Sequence, residues 1–227
     1  MKFLNATGDI FKILQPPKEG LFQRTKDYIN LKDCWQGFRE VIAYEICTKM
    51  GLLYIPFTLL ANNGTEKGSV QKFVKEVYQE NQFPKKNSIF NAVSEIFNGG
   101  YSSLKEIIKI IVFDDLIGST DRHLGNIGVT RSGDFYLFDN SESFAFAPEK
   151  AMLGSFGSFL LPWLSNWGGP LKRHKLLIKN IKETSIYIET KKEFKEVLEE
   201  RKEGITEIFN KYNLPEKEVK AFWKRGE

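Results

Sequence analysis

The sequence predicts an α+β fold in two lobes, a small antiparallel sheet lobe with one helix and then a larger helical lobe. Short apolar stretches of strand character dominate residues 1–75, whereas helical periodicity and loops dominate residues 76–227. A chain of 227 residues suits a single domain that buries a substantial core. We therefore expect one domain over residues 1–227, with the functional site in the cleft between its lobes.

The N-terminal lobe is predicted to begin with a short strand and its main helix. Residues 9–14 favour a strand that carries Lys12, and Pro16-Pro17 ends it because proline cannot donate to a ladder. Apolar residues recur near helical spacing over residues 36–50, which predicts a helix. Gly51 is the expected end of that helix.

Two more strands are predicted to complete the small sheet. The first covers Leu52 to Ala61 and the second covers Ser69 to Lys75. The intervening Asn62-Asn63-Gly64 is typical of a turn. The two strands should therefore pair as neighbours.

A buried helix is predicted to open the chemically important part of the second lobe. Ser103 with Glu106 forms a candidate capping box for a helix that runs through Ile117. Such a helix would support the following loop from beneath. Its apolar residues cover most of its circumference, which predicts burial: Ile107, Ile108, Ile110, Ile111, Val112, Phe113, Leu116 and Ile117.

The C-terminal third of the chain is predicted to be helical. A stretch rich in glycine, serine and aromatic residues runs from Phe144 to about Pro170. Mixed-charge helical patterns follow it to the end of the chain. Asn213-Leu214-Pro215 should separate the last two helices, since proline cannot continue the first of them.

The segment IGSTDRHLGNIGVTRSGDFYLFDNSESF (117–144) carries the strongest functional pattern. It places Asp121, His123 and Asn126 in one short loop. Phosphoryl transfer from ATP requires a carboxylate that orients the acceptor hydroxyl and ligands that hold Mg²⁺ against the phosphates. Kinase catalytic loops place a metal-binding Asn five residues after the catalytic Asp, which is the spacing of Asp121 and Asn126.

A hairpin is predicted to bring a second metal ligand to this loop. Within residues 127–138, one apolar run precedes a turn at Ser132-Gly133 and a second apolar run follows it, which is the pattern of a hairpin. Such a hairpin would return Asp139 beside Asn126, although Asp139 lies thirteen positions later in the chain. Both side chains offer oxygen atoms, which suit Mg²⁺, and substrate phosphates would complete its octahedral coordination.

These motifs resemble those of a known superfamily. DRHLGN (121–126) followed by YLFDN (136–140) resembles the catalytic and metal loops of the phosphatidylinositol 3/4-kinase superfamily, which includes the HipA-like bacterial kinases. Three upstream segments are similar, in the same order, to segments of type II phosphatidylinositol 4-kinases and HipA-like proteins: IFKILQPPKEG, REVIAYEICTKMGLLYIPFTLL and GSVQKFV. The resemblance spans about residues 8–145 and implies a two-lobed protein-kinase-like fold.

The resemblance implies a role for individual residues. Asp121 would be the catalytic aspartate, and His123 would contact the transferring phosphate or serve a structural role. Lys12 would neutralise the α/β-phosphates of ATP, with an exposed strand lysine as the alternative. Glu40 matches the family glutamate that holds this lysine, Glu45 is the competing candidate, and an ordinary solvated glutamate is the alternative for Glu40.

Further roles concern adenine and the loop itself. The resemblance places the hinge between the lobes at Val70, Gln71, Lys72 and Phe73, where backbone groups would pair with adenine. Asn126 and Asp139 would be the Mg²⁺ ligands. Arg122 is expected to brace the catalytic loop instead of touching substrate.

The combined prediction is an ATP-dependent phosphotransferase, a HipA-like serine/threonine kinase that acts on a protein substrate. One alternative is a phosphoinositide or other small-molecule kinase. Another is a nucleotide-binding pseudokinase or adapter. Retention of Asp121, Asn126 and Asp139 argues against the adapter, whereas the short segment before Lys12, with Gly8 as its one glycine, argues for it.

Composition narrows the expected partners and location. The formal charge of +4 is mild and no block of five like charges occurs, so nucleic-acid binding is not indicated. The two cysteines, Cys34 and Cys47, are expected to be free thiols, which suits a reducing cytoplasm. Type II lipid kinases carry an acylated cysteine cluster where this chain has Cys34 alone, and one acyl chain gives marginal membrane binding. We expect a cytoplasmic protein without stable membrane association.

Overall fold

A computed structural model of the chain describes residues 2–4, 10–13, 36–62, 67–72, 74, 77, 101–120, 122, 126–130, 134–144 and 182–227. These residues form helices together with two small antiparallel sheets, as the predicted α+β class requires. The described helices include none long and apolar enough to cross a membrane.

The larger sheet has four strands in the order β1-β2-β4-β3, all antiparallel. The strands are β1 (Lys2–Leu4), β2 (Ile10–Ile13), β3 (Thr58–Asn62) and β4 (Lys67–Gln71). The predicted strand over residues 9–14 is confirmed as β2, whereas β1 was not anticipated because three residues are too few to show an alternating pattern.

The predicted bounds of the other two strands are wrong. Residues 52–57 do not belong to a strand; β3 begins only at Thr58, and β4 ends at Gln71 instead of Lys75. The backbone of the 52–57 segment bonds elsewhere, since the Tyr54 carbonyl accepts from the Leu137 amide at 2.8 Å. Asn62, the first residue of the predicted turn, belongs to β3 instead, and Asn63 and Gly64 lie outside the described residues.

The predicted first helix is confirmed as α1 (Gln36–Lys49). Gly51 follows the helix and closes its C-terminal end with a φ of 74°, a conformation that glycine adopts without strain. The Leu52 amide then reaches back to the Cys47 carbonyl at 2.9 Å and closes the last turn. Helix α1 packs against β3 and β4 through one part of its surface.

The long helix α2 (Tyr101–Ile117) ends where the sequence predicted, but its predicted capping box is wrong. Ser103 is the third residue of the helix and therefore cannot be its cap. The Glu106 carboxylate instead accepts from the Tyr54 hydroxyl at 2.7 Å and pairs with Lys109 at 2.6 Å. Burial is confirmed over its second half, where even Asp114 and Asp115 are buried.

The predicted hairpin is confirmed by strands β5 (Ile127–Val129) and β6 (Phe135–Leu137). Their register pairs Ile127 with Leu137 and Val129 with Phe135. The Ser132-Gly133 turn lies outside the described residues.

Three helices complete the described chain: α3 (Ser185–Glu200), α4 (Lys202–Tyr212) and α5 (Glu216–Gly226). Thr184 caps α3 by accepting from the Tyr187 amide at 3.4 Å. The predicted break is confirmed, because Asn213 takes a left-handed conformation and Pro215 is the N-cap residue that precedes α5.

One hydrophobic core cluster joins the described elements. Buried side chains of α1, α2, the hairpin and the three C-terminal helices all belong to it. Helix α1 contacts α4, while α2 contacts α3 and α5. Helix α1 is therefore held between the small sheet and the C-terminal helices, and this places its buried residues next to the loop that follows β6.

Candidate active site

A fully buried arginine lies at the centre of the candidate site. Arg122 has no exposed surface and binds Asp114 through two nitrogens. Its Nε lies 3.0 Å from Asp114 Oδ2, and its Nη2 lies 3.0 Å from Asp114 Oδ1. Two parallel charge-assisted bonds fix both the position and the plane of the guanidinium. Since Asp114 lies in the last turn of α2, the helix holds the loop that contains Arg122.

The same guanidinium binds the backbone next to both strands of the hairpin, at its base. Arg122 Nη1 donates to the carbonyl of Phe138 at 2.7 Å and to the carbonyl of Asn126 at 3.2 Å. Arg122 Nη2 also donates to Asn140 Oδ1 at 2.5 Å. These contacts confirm that Arg122 braces the loop, because they consume its donors on protein groups.

The hairpin register brings Asn126 next to the residue that precedes Asp139 in the chain. The Phe138 amide donates to the Asn126 carbonyl at 2.8 Å, which extends the ladder one step beyond the Ile127–Leu137 pair. Asn126 therefore faces the residue that immediately precedes Asp139. This agrees with the expectation that the hairpin returns Asp139 beside Asn126.

Asp139 has an uncommon backbone conformation. Its φ is 53°, in the left-handed region that residues other than glycine rarely adopt. Ser141 Oγ donates to Asp139 Oδ1 at 2.7 Å, and the Ser143 amide donates to the Asn140 carbonyl at 3.1 Å. Backbone strain of this kind costs about 1–3 kcal/mol and is found preferentially at functional sites. The turn after β6 is thus specified by its own side chains.

This turn is also tied to the end of α2. The Thr120 amide donates to the Glu142 carbonyl at 3.2 Å, and the Phe144 amide donates to the Ile117 carbonyl at 2.5 Å. Gly118, with a φ of 64°, makes the sharp exit from the helix. The C-terminal end of α2 and the Asp139 turn are consequently connected by backbone hydrogen bonds.

The two candidate glutamates of α1 lie in different surroundings. Glu40 is 2% exposed, and its Oε2 accepts from Asn140 Nδ2 at 3.5 Å. Glu45 instead accepts from Lys211 Nζ at 2.8 Å and from the Tyr212 hydroxyl at 2.6 Å, both from α4. Glu40 is therefore the glutamate of this pair that contacts the Asp139 turn.

The nucleotide-binding residues predicted in the sheet are described in part. The backbone of Lys12 lies in β2 opposite Ser69, while its side chain lies outside the description. Val70 and Gln71 end the central strand β4, and Gln71 Nε2 donates to Thr58 Oγ1 at 3.2 Å. The amide of Lys72 donates to the Phe57 carbonyl at 2.8 Å and is thus engaged within the protein.

Three predicted site residues fall outside the described residues: Asp121, His123 and Phe73. Their proposed roles stay predictions. Within the DRHLGN loop, the structure describes Arg122 and Asn126.

Sequence reasoning missed the structural importance of Asp114 and Asn140, which hold Arg122. Asp114 and its neighbour Asp115 are the charged residues in the otherwise apolar second half of α2, and this contrast was the available signal. Asn140 stands directly after Asp139, but a side chain that bonds two distant elements leaves no spacing signature.

The charges of Arg122 and Asp114 compensate each other inside the protein. Burial raises the pKa of the Asp114 carboxyl, while the Arg122 guanidinium opposes that shift. The described residues include no group of three His, Cys, Asp or Glu side chains that could hold a metal ion. Asn126 and Asp139 nevertheless offer oxygen donors from one hairpin base, which suits Mg²⁺ when phosphates supply further ligands.

Comparisons with known proteins add no family assignment. No protein-family model matches this chain, and no curated protein matches it. The resemblance to the phosphatidylinositol 3/4-kinase superfamily therefore depends on the quoted motifs, and what it implies belongs to the proposal that follows.

Proposed function

We propose that this chain is an ATP-dependent phosphotransferase with a two-lobed protein-kinase-like fold, and specifically a cytoplasmic HipA-like kinase that phosphorylates protein serine or threonine. The observation that carries the proposal is the hairpin base, where Arg122 holds the backbones of Asn126 and Phe138. This arrangement supports the proposal, because it holds the backbone beside Asn126 and Asp139, the two residues that would serve as the metal ligands of a kinase.

Metal binding is the first step that these residues would support. Asn126 and Asp139 would hold Mg²⁺ through their side-chain oxygens, with the phosphates of ATP as the other ligands. The bound ion would neutralise the charge that accumulates on the transferring phosphoryl group. The left-handed turn at Asp139 supports this role, because its cost is one that functional sites commonly carry.

Transfer would depend on the loop that Arg122 braces. Asp121 would orient the acceptor hydroxyl and accept its proton, and His123 would contact the transferring phosphate. Arg122 immediately follows Asp121 in the chain and is fixed by Asp114. Its anchorage would keep the catalytic carboxylate in register with the metal ligands.

Nucleotide binding would involve the small sheet and α1. Lys12 on β2 would neutralise the α/β-phosphates, and Glu40 would orient this lysine. Burial of Glu40 and the engagement of Glu45 by α4 support the choice of Glu40. Residues Val70 to Phe73 would contact adenine as the hinge.

A protein acceptor is proposed in preference to a lipid. Attachment to an anionic membrane gains about 1 kcal/mol for each well-placed Lys or Arg. A formal charge of +4, with both signs interleaved, offers little of that gain. A chain with this charge distribution is better suited to an acceptor in solution.

Incubation with γ-labelled ATP and Mg²⁺ tests the proposal directly. Label would be traced into the chain itself, into lysate proteins and into extracted lipids, with the Asp121→Asn variant in parallel. We expect label on protein hydroxyl groups that depends on Asp121. Label confined to phosphatidylinositol would favour the lipid kinase, and tight ATP binding without any transfer would favour the pseudokinase.

A further inference from the structure

Asn140 connects two elements that are far apart in the sequence. Its Oδ1 accepts from Arg122 Nη2 at 2.5 Å, and its Nδ2 donates to Glu40 Oε2 at 3.5 Å. Asn140 is 1% exposed and Glu40 is 2% exposed, so both groups are removed from solvent. One amide therefore joins α1 to the arginine that braces the hairpin.

We propose that Asn140 is a positioning residue that couples the placement of Glu40 on α1 to the metal-binding carboxylate of Asp139. Binding of Mg²⁺ and ATP at Asp139 and the placement of α1 would then change together. This inference rests on the proposed function, since it assigns a task within the same site.

The direction of the amide follows from the chemistry of its neighbours. Arginine has only donors, so the atom of Asn140 that faces Arg122 must be the carbonyl oxygen. The NH₂ group consequently faces Glu40, which as a carboxylate has only acceptors. Asparagine is suited to this position because one end of its side chain accepts and the other end donates.

The two hydrogen bonds of the Asn140 side chain differ in length, and this difference indicates which of them would respond to a movement of α1. Arg122 is held by two bonds of 3.0 Å to Asp114, so the 2.5 Å contact between Arg122 and Asn140 is anchored to α2. The 3.5 Å contact to Glu40 is at the long end of hydrogen-bond distances. Movement of α1 would therefore shorten or break the Glu40 contact first.

Asp139 is the immediate neighbour through which this contact would act. Its left-handed backbone and its bond from Ser141 leave it in a specific conformation at the start of the turn. Rotation of the Asn140 peptide would alter the direction of the Asp139 carboxylate.

A double-variant cycle tests the coupling by exchanging the donor and the acceptor between Asn140 and Glu40. Asn140→Asp keeps an acceptor for Arg122 but faces Glu40 with a second carboxylate. Glu40→Gln then supplies a donor to that new carboxylate. The Mg²⁺ concentration at half-maximal ATP binding is measured for the four proteins, together with ATP affinity in the absence of Mg²⁺.

We expect Asn140→Asp to raise the Mg²⁺ midpoint about tenfold, as changes next to metal ligands commonly do. The double variant should return most of the way to the parent Mg²⁺ midpoint. Glu40→Gln alone should mainly weaken ATP binding in the absence of Mg²⁺, because Glu40 would no longer orient Lys12 as a carboxylate does. A residue that merely supports the fold would shift both affinities together. Asn210→Asp, on the exposed surface of α4, is the matched control and should leave the midpoint unchanged.

Two results would overturn the inference: an Asn140→Asp protein with the parent Mg²⁺ midpoint, or effects of the two changes that are simply additive. If Asn140→Asp does not fold, Asn140→Ser replaces it, because the shorter serine side chain cannot reach both Arg122 and Glu40. A parent-like Mg²⁺ midpoint in Asn140→Ser would also refute the coupling. If the parent chain binds no ATP, the proposed function fails and the inference fails with it. The parent measurement alone distinguishes that case.

Discussion

The Arg122 guanidinium and the Asp114 carboxylate form a buried ion pair with two hydrogen bonds of 3.0 Å. This pair joins the loop that follows α2 to the last turn of α2 itself. Because Arg122 also holds the carbonyls of Asn126 and Phe138, the hairpin base depends on the same pair. Stability and site geometry are therefore linked at one arginine.

Arg122→Met should destabilise the protein by about 3–5 kcal/mol, because it leaves the Asp114 carboxylate buried without its partner. Urea unfolding followed by circular dichroism measures the change. Arg201→Met is the matched control, since the Arg201–Glu200 pair is more than half exposed on both sides and should contribute within about 0.5 kcal/mol.

The combination of Arg122→Met with Asp114→Leu should recover part of this loss, since an apolar pair avoids the unpaired charge. A double variant no more stable than Arg122→Met alone would show that the carbonyl contacts of Arg122 outweigh its ion pair.

Asp121→Asn should retain ATP binding and lose phosphate transfer, because an amide cannot accept the proton of the acceptor hydroxyl. Single-turnover assays with γ-labelled ATP measure transfer, and calorimetry measures binding. Asp134→Asn, at the exposed end of the hairpin, is the control with the same chemical change. Transfer by Asp121→Asn at the parent rate would refute the catalytic assignment.

Asp139→Ala should reduce Mg²⁺-dependent ATP affinity and turnover together, and Asn126→Ala should reduce them less, because a neutral ligand contributes less to a divalent cation. ATP titrations with and without Mg²⁺ separate the metal-dependent part. Asp134→Ala is the control at the exposed end of the hairpin. Unchanged metal dependence in both variants would remove these two residues from the site.

Gly128→Ala should destabilise the hairpin by about 1–3 kcal/mol, because the added methyl group would overlap a neighbour in a packed interior. A Cβ at Gly128 would lie 2.7 Å from Phe138 Cε2 and would also collide with Val77. Gly204→Ala is an instructive comparison, because its Cβ would meet only the flexible end of Lys49.

Since alanine also favours the helical state over glycine, Gly204→Ala should be neutral or stabilising. Thermal unfolding of the two variants gives the comparison. Equal losses at both positions would contradict the claim that Gly128 is required for close packing.

Cys47 should resist alkylation in the folded protein. Burial raises the pKa of its thiol from 9.0 to about 11, so the thiolate fraction at pH 8 falls about a hundredfold. The Cys34→Ser variant isolates Cys47, and intact mass after iodoacetamide treatment follows the reaction. Rapid labelling should require unfolding in guanidinium chloride. Rapid labelling at pH 8 without this denaturant would show that the thiol is accessible in the folded protein.

The pH dependence of stability has a defined sign at Cys47. The folded protein holds the thiol proton more tightly than the unfolded chain, so this contribution is complete below pH 9 and is lost as pH rises towards 11. Cys47→Ala should remove that contribution. Its unfolding free energy should therefore decline less than that of the parent between pH 9 and 11.

The sequence alone determined the elements whose signals are local. Helix α1 and its end at Gly51 followed from apolar periodicity and a single glycine, and the break at Asn213-Leu214-Pro215 followed from turn chemistry. The hairpin of Ile127–Leu137 followed from two apolar runs around a turn. These features depend on neighbours within a few residues, which is why they could be predicted.

Only the tertiary structure decided the features that depend on distant partners. The 52–57 segment has strand-like composition, yet the backbone of Tyr54 bonds to Leu137 of the hairpin instead of to the larger sheet. Asp114 and Asn140 acquire their importance from Arg122 and Glu40, across separations that no spacing rule encodes. Hydrogen-bond donors and acceptors in a buried site must find partners wherever the fold brings them. The pattern of the DRHLGN loop therefore allowed a prediction of its chemistry, whereas the contacts that support Arg122 became apparent only in the tertiary structure.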